Sequence, residues 1–238
     1  MSTNNYTTLS MPVINAYRMD GLGNDFIIVD RRKNSIKLTE EKIIKLSDRK
    51  VLGFDQILFI EKLQNNAYPI TIYNSDGGEV SACGNGARCV AYLLGKNLNI
   101  NEIKLKTSNR LLNAKIVGDF DVKLEMGKPL FNFEEIPLSK TINPSNITLN
   151  IEDKIFSGGF CVNVGNPHIV FFVKDCFEHD LKVIGPKIEN HHLFPEKVNV
   201  TFAEVIDKSN IKVNVWERGA GLTKACGTAA CATAVAAL

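Results

Sequence analysis

Ala82-Cys83-Gly84-Asn85 and Ala225-Cys226-Gly227-Thr228 each set a cysteine between a polar loop and an apolar stretch, followed at once by glycine and a short polar residue. The stretches behind them, Gly84 to Leu94 and Gly227 to Leu238, are Ala-rich and apolar on nearly all sides. That composition predicts two helices enclosed by sheet rather than lying on a surface. Each cysteine then stands at a helix N-terminus, where unpaired backbone N–H groups and a partial charge of roughly +0.5 favour an anion, either a thiolate or a carboxylate. Two such thiols converging on one carbon would act on both of its faces.

The two cysteines are 143 residues apart (226 less 83), and other landmarks keep nearly that spacing. Asn24, before the apolar run Phe26 to Val29, matches Asn166, before Ile169 to Val173, at 142. Gln56 matches Asn199 and Asn74 matches Glu217, both at 143. One order at one spacing predicts a duplicated unit, hence two similar domains of modest size. Short apolar segments bounded by turn signals predict strands over Val13 to Tyr17, Phe26 to Val29, Ile57 to Ile60, Ile70 to Tyr73, Ile103 to Lys106, Leu111 to Val117 and Val122 to Met126. Thr39-Glu40-Glu41 predicts a capped surface helix to Arg49, and a second helix is expected over Asp180 to Asn190, interrupted at Gly185-Pro186. The expected organisation is an N-terminal extension (1–12), a first domain (13–133), a Pro- and Asn-rich linker (134–150) and a second domain (151–238).

Bulk properties exclude several classes. A net charge of +2, with Lys and Arg scattered, gives no basic stripe for nucleic acid. No apolar run approaches the ~20 residues that span a bilayer, and Met1 to Pro12 lacks the features of a secretory or transit signal. Six cysteines in that setting read as thiols in a reducing, cytoplasmic compartment.

A thiol of pKa about 8.5 is expected to fall to roughly 3.5–7.5 at a helix N-terminus, which makes it a base near neutral pH while its protonated twin serves as an acid. If one sulfur removes the Cα proton of an amino acid and the other returns a proton from the opposite face, the centre inverts. Backbone N–H groups of Gly84-Asn85 and Gly227-Thr228 can hold the α-carboxylate and stabilise the carbanion without a cofactor. Alternatives stay open at this point. A Cys83–Cys226 disulfide is a side state of such a site. Zinc fits poorly, because no CxxC occurs, and no metal is expected; a hydrolase with one Cys and a His leaves the second Cys-Gly unexplained. Cys89, Cys161, Cys176 and Cys231 read as core or surface thiols.

From about Tyr17 to Leu238 the chain resembles the diaminopimelate epimerases, cofactor-independent epimerases of lysine and peptidoglycan precursor synthesis. The resemblance runs through Gly21-Leu22-Gly23-Asn24-Asp25-Phe26, Asn74-Ser75-Asp76-Gly77, Cys83-Gly84-Asn85-Gly86-Ala87-Arg88-Cys89, Gly165-Asn166-Pro167-His168, Val198-Asn199-Val200 and Glu217-Arg218-Gly219-Ala220-Gly221. It implies an α+β fold of two pseudo-symmetric domains, each a curved, mostly antiparallel sheet or barrel around a central helix. It also implies Cys83 and Cys226 as base and acid, one per face. Substrate contacts are implied for Asn24, Gln56, Asn74, Asn166, Asn199, Glu217 and Arg218, with Gly84-Asn85 and Gly227-Thr228 gripping the reacting carboxylate. His168 and Glu217 are similar to residues that tune the thiols. A bidentate Arg218 suits a distal carboxylate.

Asp20, Leu222 and Ala229 depart from a frequent His, Glu and Gly of that family. About three strands follow the first cysteine helix and none follows the second, so a truncated second domain with missing C-terminal strands and a poorly covered last helix is expected. The expected partner is a small-molecule substrate, diaminopimelate, with a homodimer as one expected assembly. Rival readings are a proline or hydroxyproline racemase with the same thiol logic, and a catalytically dead amino-acid-binding protein.

Overall fold

The computed structural model describes residues 16–33, 36–81 and 83–238. The extension 1–12 and the first residues of the strand expected from Val13 lie outside them. The first lobe runs β1 (Ala16–Gly21), β2 (Asn24–Asp30), α1 (Glu40–Ser47), β3 (Gln56–Ile60), β4 (Tyr68–Asn74), β5 (Glu79–Val80), α2 (Gly84–Leu98), β6 (Glu102–Lys106), β7 (Leu111–Gly118) and β8 (Asp121–Glu125). The second runs β9 (Ile147–Ile151), β10 (Lys154–Asn163), β11 (Pro167–Phe172), α3 (Leu181–Glu189), β12 (Asn199–Val205), β13 (Ile211–Glu217), β14 (Gly221–Leu222) and α4 (Gly227–Ala236). One sheet has the order β1-β2-β3-β4-β6-β7-β8, with β5 on β4; the other has β14-β13-β12-β11-β10-β9. The fold is α+β.

The duplication is visible element by element. Strands β2 and β3 pair in parallel, as do β11 and β12, and β4 and β13 each return antiparallel to the strand before. A short strand and a Cys-led helix follow in both lobes. Within each lobe one sheet face takes the Cys-led helix. Phe26, Ile28, Leu58, Ile60 and Ile72 pack against Val90 and Leu94 of α2, while Val162, Val170 and Ala203 pack against Ala232 of α4. Fully burying a side chain such as Val90 or Leu94 contributes about 1.5–3 kcal/mol. The opposite faces hold α1, through Ile43, and α3, through Leu181, Ile184 and Ile188.

Helix ends follow local chemistry. The Thr39 hydroxyl caps α1 and the Asp180 carboxylate caps α3. Asn99 ends α2 in the left-handed conformation, φ 56°, and returns its N–H to Gly95. Pro186 does not interrupt α3 as expected; the helix continues to Glu189. The hydrogen bond that proline forgoes would have gone to Lys182, which lies on the exposed face where water can serve instead.

Two further expectations are corrected. Residues 134–150 are not a tether: Ile136 and Leu138 are buried in the second lobe's core and Ile147–Ile151 is β9. Their Pro and Asn residues mark turns, while the apolar residues between them point inward. The chain crosses between lobes earlier, where Leu130 exchanges backbone hydrogen bonds with Asn163 and the Arg110 guanidinium donates to the Met126 carbonyl at 2.6 Å. Helix α4 is also not enclosed on all sides, which departs from the expected enclosure of both Cys-led helices and agrees with the expected poor cover of the last one. Its Thr228, Ala229, Ala232 and Thr233 are buried, whereas Ala230 and Ala234 face outward; α2 is covered additionally by β6, β7 and β8.

Candidate active site

The N-termini of α2 and α4 meet head to head. A Cβ placed on Gly227 would lie 3.5 Å from Asn85 Oδ1 and 4.0 Å from Gly84 Cα, so the two helix starts stand at ordinary contact distance of each other. Cys83 and Cys226 are the N-cap residues. Their backbones are extended, and each Sγ accepts from the backbone N–H three residues on, Gly86 at 3.3 Å and Ala229 at 3.4 Å. Sulfur thus fills the place usually held by a Ser or Asp oxygen. The Asn85 amide ties the lobes together, donating to Asn24 Oδ1 at 2.9 Å and to the Ala225 carbonyl at 3.3 Å, while Arg88 donates to Asn85 Oδ1 at 2.7 Å.

A cleft of about 570 Å³ opens beside this junction, lined by Asn24, Gln56, Asn74 and Cys83 from the first lobe and Glu217 from the second. Gln56 Nε2 donates to Asn74 Oδ1 at 2.8 Å, and its buried Oε1 has no partner among the described residues. Glu217 ends β13 and accepts from the Thr223 hydroxyl at 2.5 Å, and Cys226 Sγ lies 3.3 Å from the Thr228 hydroxyl. Arg218 lines an adjoining groove that shares Asn74, Asp76 and Gly219 with the cleft, and its Nη1 donates to the Glu196 carbonyl at 2.8 Å.

Asn166 and Asn199, expected at the substrate, and His168, expected to tune the thiols, are not among the residues that line this cleft. Asn199 is buried with both polar atoms engaged, donating to the Pro167 carbonyl at 2.7 Å and accepting from the Arg218 N–H at 2.9 Å. It therefore sets the backbone that carries Arg218. Asn166 Oδ1 pairs with His168 Nε2 at 2.9 Å, and His168 is fully buried.

Other cleft residues escaped the sequence reading. Asp25, Arg49 and Asp55 form an ion-pair group at the rim, in which Arg49 reaches both carboxylates and Asp55 accepts the Asp25 N–H at 2.9 Å. Thr223 and Lys224 line the wall just before Cys226. The repeat spacing pairs these two with Val80 and Ser81, which differ in chemistry, so similarity between halves gives no signal for them.

The electrostatics correct one expectation. Burial pushes both thiols up to about 12, Cys83 and Cys226 alike; the Glu217 charge adds to this, and the Gly86 and Ala229 amides oppose it without prevailing. Glu217 is itself raised, first by burial, against the lowering hydrogen bond from Thr223. Burial, with Arg218 adding, pushes His168 down to about 3, so its imidazole is neutral. The unfolded chain binds that proton below the ordinary imidazole value of about 6.5 and the native state does not until about 3. Stability is therefore lost as pH falls through this window, by up to about 1.4 kcal/mol per pH unit. Urea midpoints measured at descending pH are expected to fall less steeply for His168→Gln than for the unsubstituted chain.

Solved structures place the fold. A hydroxyproline epimerase from Agrobacterium vitis matches with a TM-score of 0.63 at 13% identity, covering 94% of this chain and 76% of that one. A phenazine biosynthesis protein of the PhzF family from Bacillus anthracis matches at 0.57 and 17% identity, covering 95% and 80%. With them, the two duplicated lobes define the class by fold, an epimerase-like α+β architecture. The chain belongs to the diaminopimelate epimerase family, whose model matches residues 16–131 and 160–238. The diaminopimelate epimerase of Pelagibacter ubique (strain HTCC1062) is 54% identical over 227 residues, spanning 94% of this chain and 83% of that protein. That of Wolbachia sp. subsp. Brugia malayi (strain TRS) is 42% identical over 221 residues, spanning 92% and 83%. No helix among the described residues is long and apolar enough to cross a membrane.

Proposed function

We propose that this chain interconverts LL- and meso-2,6-diaminopimelate by a cofactor-independent, two-thiol reaction, in the cytoplasm, on the route to lysine and peptidoglycan precursors. The observation that carries this is the head-to-head meeting of α2 and α4, with Cys83 and Cys226 as their N-caps. The substrate α-carboxylate binds between the two helix starts, against backbone N–H groups of Gly84-Asn85 and Gly227-Thr228. One sulfur, as thiolate, takes the Cα proton; the other, as thiol, gives its proton to the opposite face. The two then hold exchanged protonation states, so the reverse reaction uses the same parts. Because burial disfavours either thiolate, the positive α-ammonium of the substrate is the charge that stabilises it.

Asn24 and Asn85 position the reacting end, while Gln56, Asn74 and Arg218 receive the distal amino-acid head. Gln56 Oε1 suits an ammonium donor, and Arg218 suits a carboxylate. Asn166, His168 and Asn199 support this wall from behind, with Glu217 tuning the thiols. The two lobes, residues 13–133 and 151–238 with 134–150 folded onto the second, are the bodies that enclose the substrate. Incubation in heavy water with each diaminopimelate isomer and with proline tests the reading. Deuterium entering Cα of diaminopimelate with inversion, and not of proline, is expected; the opposite preference would assign the chain to proline-type racemisation.

A further inference from the structure

We infer that Glu189 is the positioning residue of the second-lobe wall: its buried carboxylate clamps both ends of the segment Trp216–Gly219, and so sets Glu217 into the cleft and Arg218 into the adjoining groove. This builds on the substrate reading proposed above, in which Arg218 receives the distal carboxylate.

Glu189 is the last residue of α3 and is only 5% exposed. Its Oε2 accepts from the Trp216 indole N–H at 2.7 Å, and its Oε1 accepts from the Gly219 backbone N–H at 3.1 Å. Glu217 and Arg218 are the two residues between those donors. Glu217 and Gly219 line the cleft, while Arg218 and Gly219 line the groove. Gly219 stands at φ 75°, so a bond to its N–H fixes the turn that carries the chain from Arg218 into β14. The Arg218 N–H is held separately, by Asn199 Oδ1.

Helix α3 is shaped for this contact. Gly185 and Glu189 are four residues apart and share one face of the helix. A Cβ on Gly185 would fall 2.5 Å from Trp216 Cγ, so only glycine lets the indole rest against the helix backbone one turn before the carboxylate. The helix dipole disfavours a carboxylate at a C-terminus, and burial of a charge costs more still. What offsets both is the donor set: the indole, the amide and the Lys197 ammonium at 3.9 Å. An ionised carboxylate only accepts, which matches these donors, whereas a glutamine amide must turn its own N–H groups toward one of them. In the first lobe the spacing of 143 puts Leu46, Tyr73 and Asp76 at the places of Glu189, Trp216 and Gly219, and Leu46 and Tyr73 pack on one apolar cluster. The charged clamp thus belongs to the lobe whose hairpin carries Glu217 and Arg218.

The test uses E189Q and E189D in the full chain. E189Q keeps the shape and loses one acceptor; E189D keeps the charge but is one methylene too short to reach both donors. In steady-state kinetics with diaminopimelate, each is expected to raise KM about 10- to 100-fold, the equivalent of one lost charge-assisted hydrogen bond, with kcat held within about threefold. Contacts to the distal head are made in ground state and transition state alike, so their loss falls on KM. A merely structural role would lower the folded fraction, and with it kcat, at unchanged KM. A KM rise below about threefold in both variants would overturn the inference, whatever happens to kcat.

Amide hydrogen exchange, read by NMR without substrate, tests the clamp itself. The Gly219 amide is expected to exchange about tenfold faster or more in both variants, while the amides of β12 remain protected. Retained protection at Gly219, or loss of protection in β12 along with it, would overturn the inference. A chain that fails to epimerise diaminopimelate would refute the proposed activity, while exchange at Gly219 still decides Glu189.

Discussion

Replacing Cys226 by alanine is expected to lower inversion of diaminopimelate by about a hundred- to ten-thousand-fold, and Cys83→Ala to do the same, the range contributed by a positioned acid or base. The geometry gives each thiol one helix start and one side of the junction, so neither can take over the other's proton transfer. Alanine also removes a cap. The Gly86 or Ala229 N–H that now meets sulfur would lose its partner, which costs about 0.5–2 kcal/mol of stability. Serine separates the two effects, since its hydroxyl is a preferred N-cap but too weak an acid to act as a base near neutral pH. Cys83→Ser and Cys226→Ser are therefore expected to keep the denaturation midpoint and still lose turnover. Full activity in either serine variant would remove that thiol from the reaction.

The second large effect is on stability. Gly95 lies in the last turn of α2 beneath the Asn99 cap, and an added Cβ would fall 2.0 Å from Ile116 Cδ1 and 2.7 Å from the Ile100 carbonyl oxygen. Alanine is favoured over glycine in a helix by about 1 kcal/mol, so propensity alone predicts a gain. Packing decides otherwise. The isoleucine methyl can move, but the backbone carbonyl belongs to the turn that ends the helix, where Ile100 N–H also bonds Gly95 O at 3.1 Å. Gly95→Ala is expected to destabilise by about 1–3 kcal/mol, the usual cost of overpacking, lowering Tm by roughly 2–4 °C per kcal/mol for a chain of this size. Gly118→Ala serves as control, because its Cβ would meet only Asp121 Cβ at 3.4 Å. A Gly95→Ala melting temperature at or above that of the unsubstituted chain would show that the Ile100 turn gives way.

Much of this architecture could be read from the sequence because the duplication preserved spacing where it preserved backbone. Gln56 opens β3 and Asn199 opens β12, the strand of each lobe that pairs in parallel with the one before it, and the two cysteines both cap helices. What spacing could not convey is which way a side chain faces. Gln56 lines the cleft while Asn199, its counterpart, is turned inward onto the Pro167 carbonyl and Arg218 N–H. Equivalent backbone positions therefore do different work. Thr223 was invisible for a related reason: a turn brings it into the cleft and onto Glu217, and its counterpart Val80 carries no polar group. The thiol expectation failed on balance of forces. A helix end is readable from sequence and lowers a thiol pKa, but burial depends on how two lobes close together, and here burial prevails. Residues 134–150 misled through composition, since Pro and Asn punctuate a folded segment as readily as a tether.

The central claim, one thiol for each face of the reacting carbon, is tested most directly by following α-deuterium in heavy water for Cys83→Ala and Cys226→Ala, each offered the LL and meso isomers separately. The account predicts that each variant exchanges the α-proton of only one isomer, without inversion, and that the two variants choose opposite isomers. Exchange of the same isomer by both variants, or inversion by either at the rate of the unsubstituted chain, would contradict it.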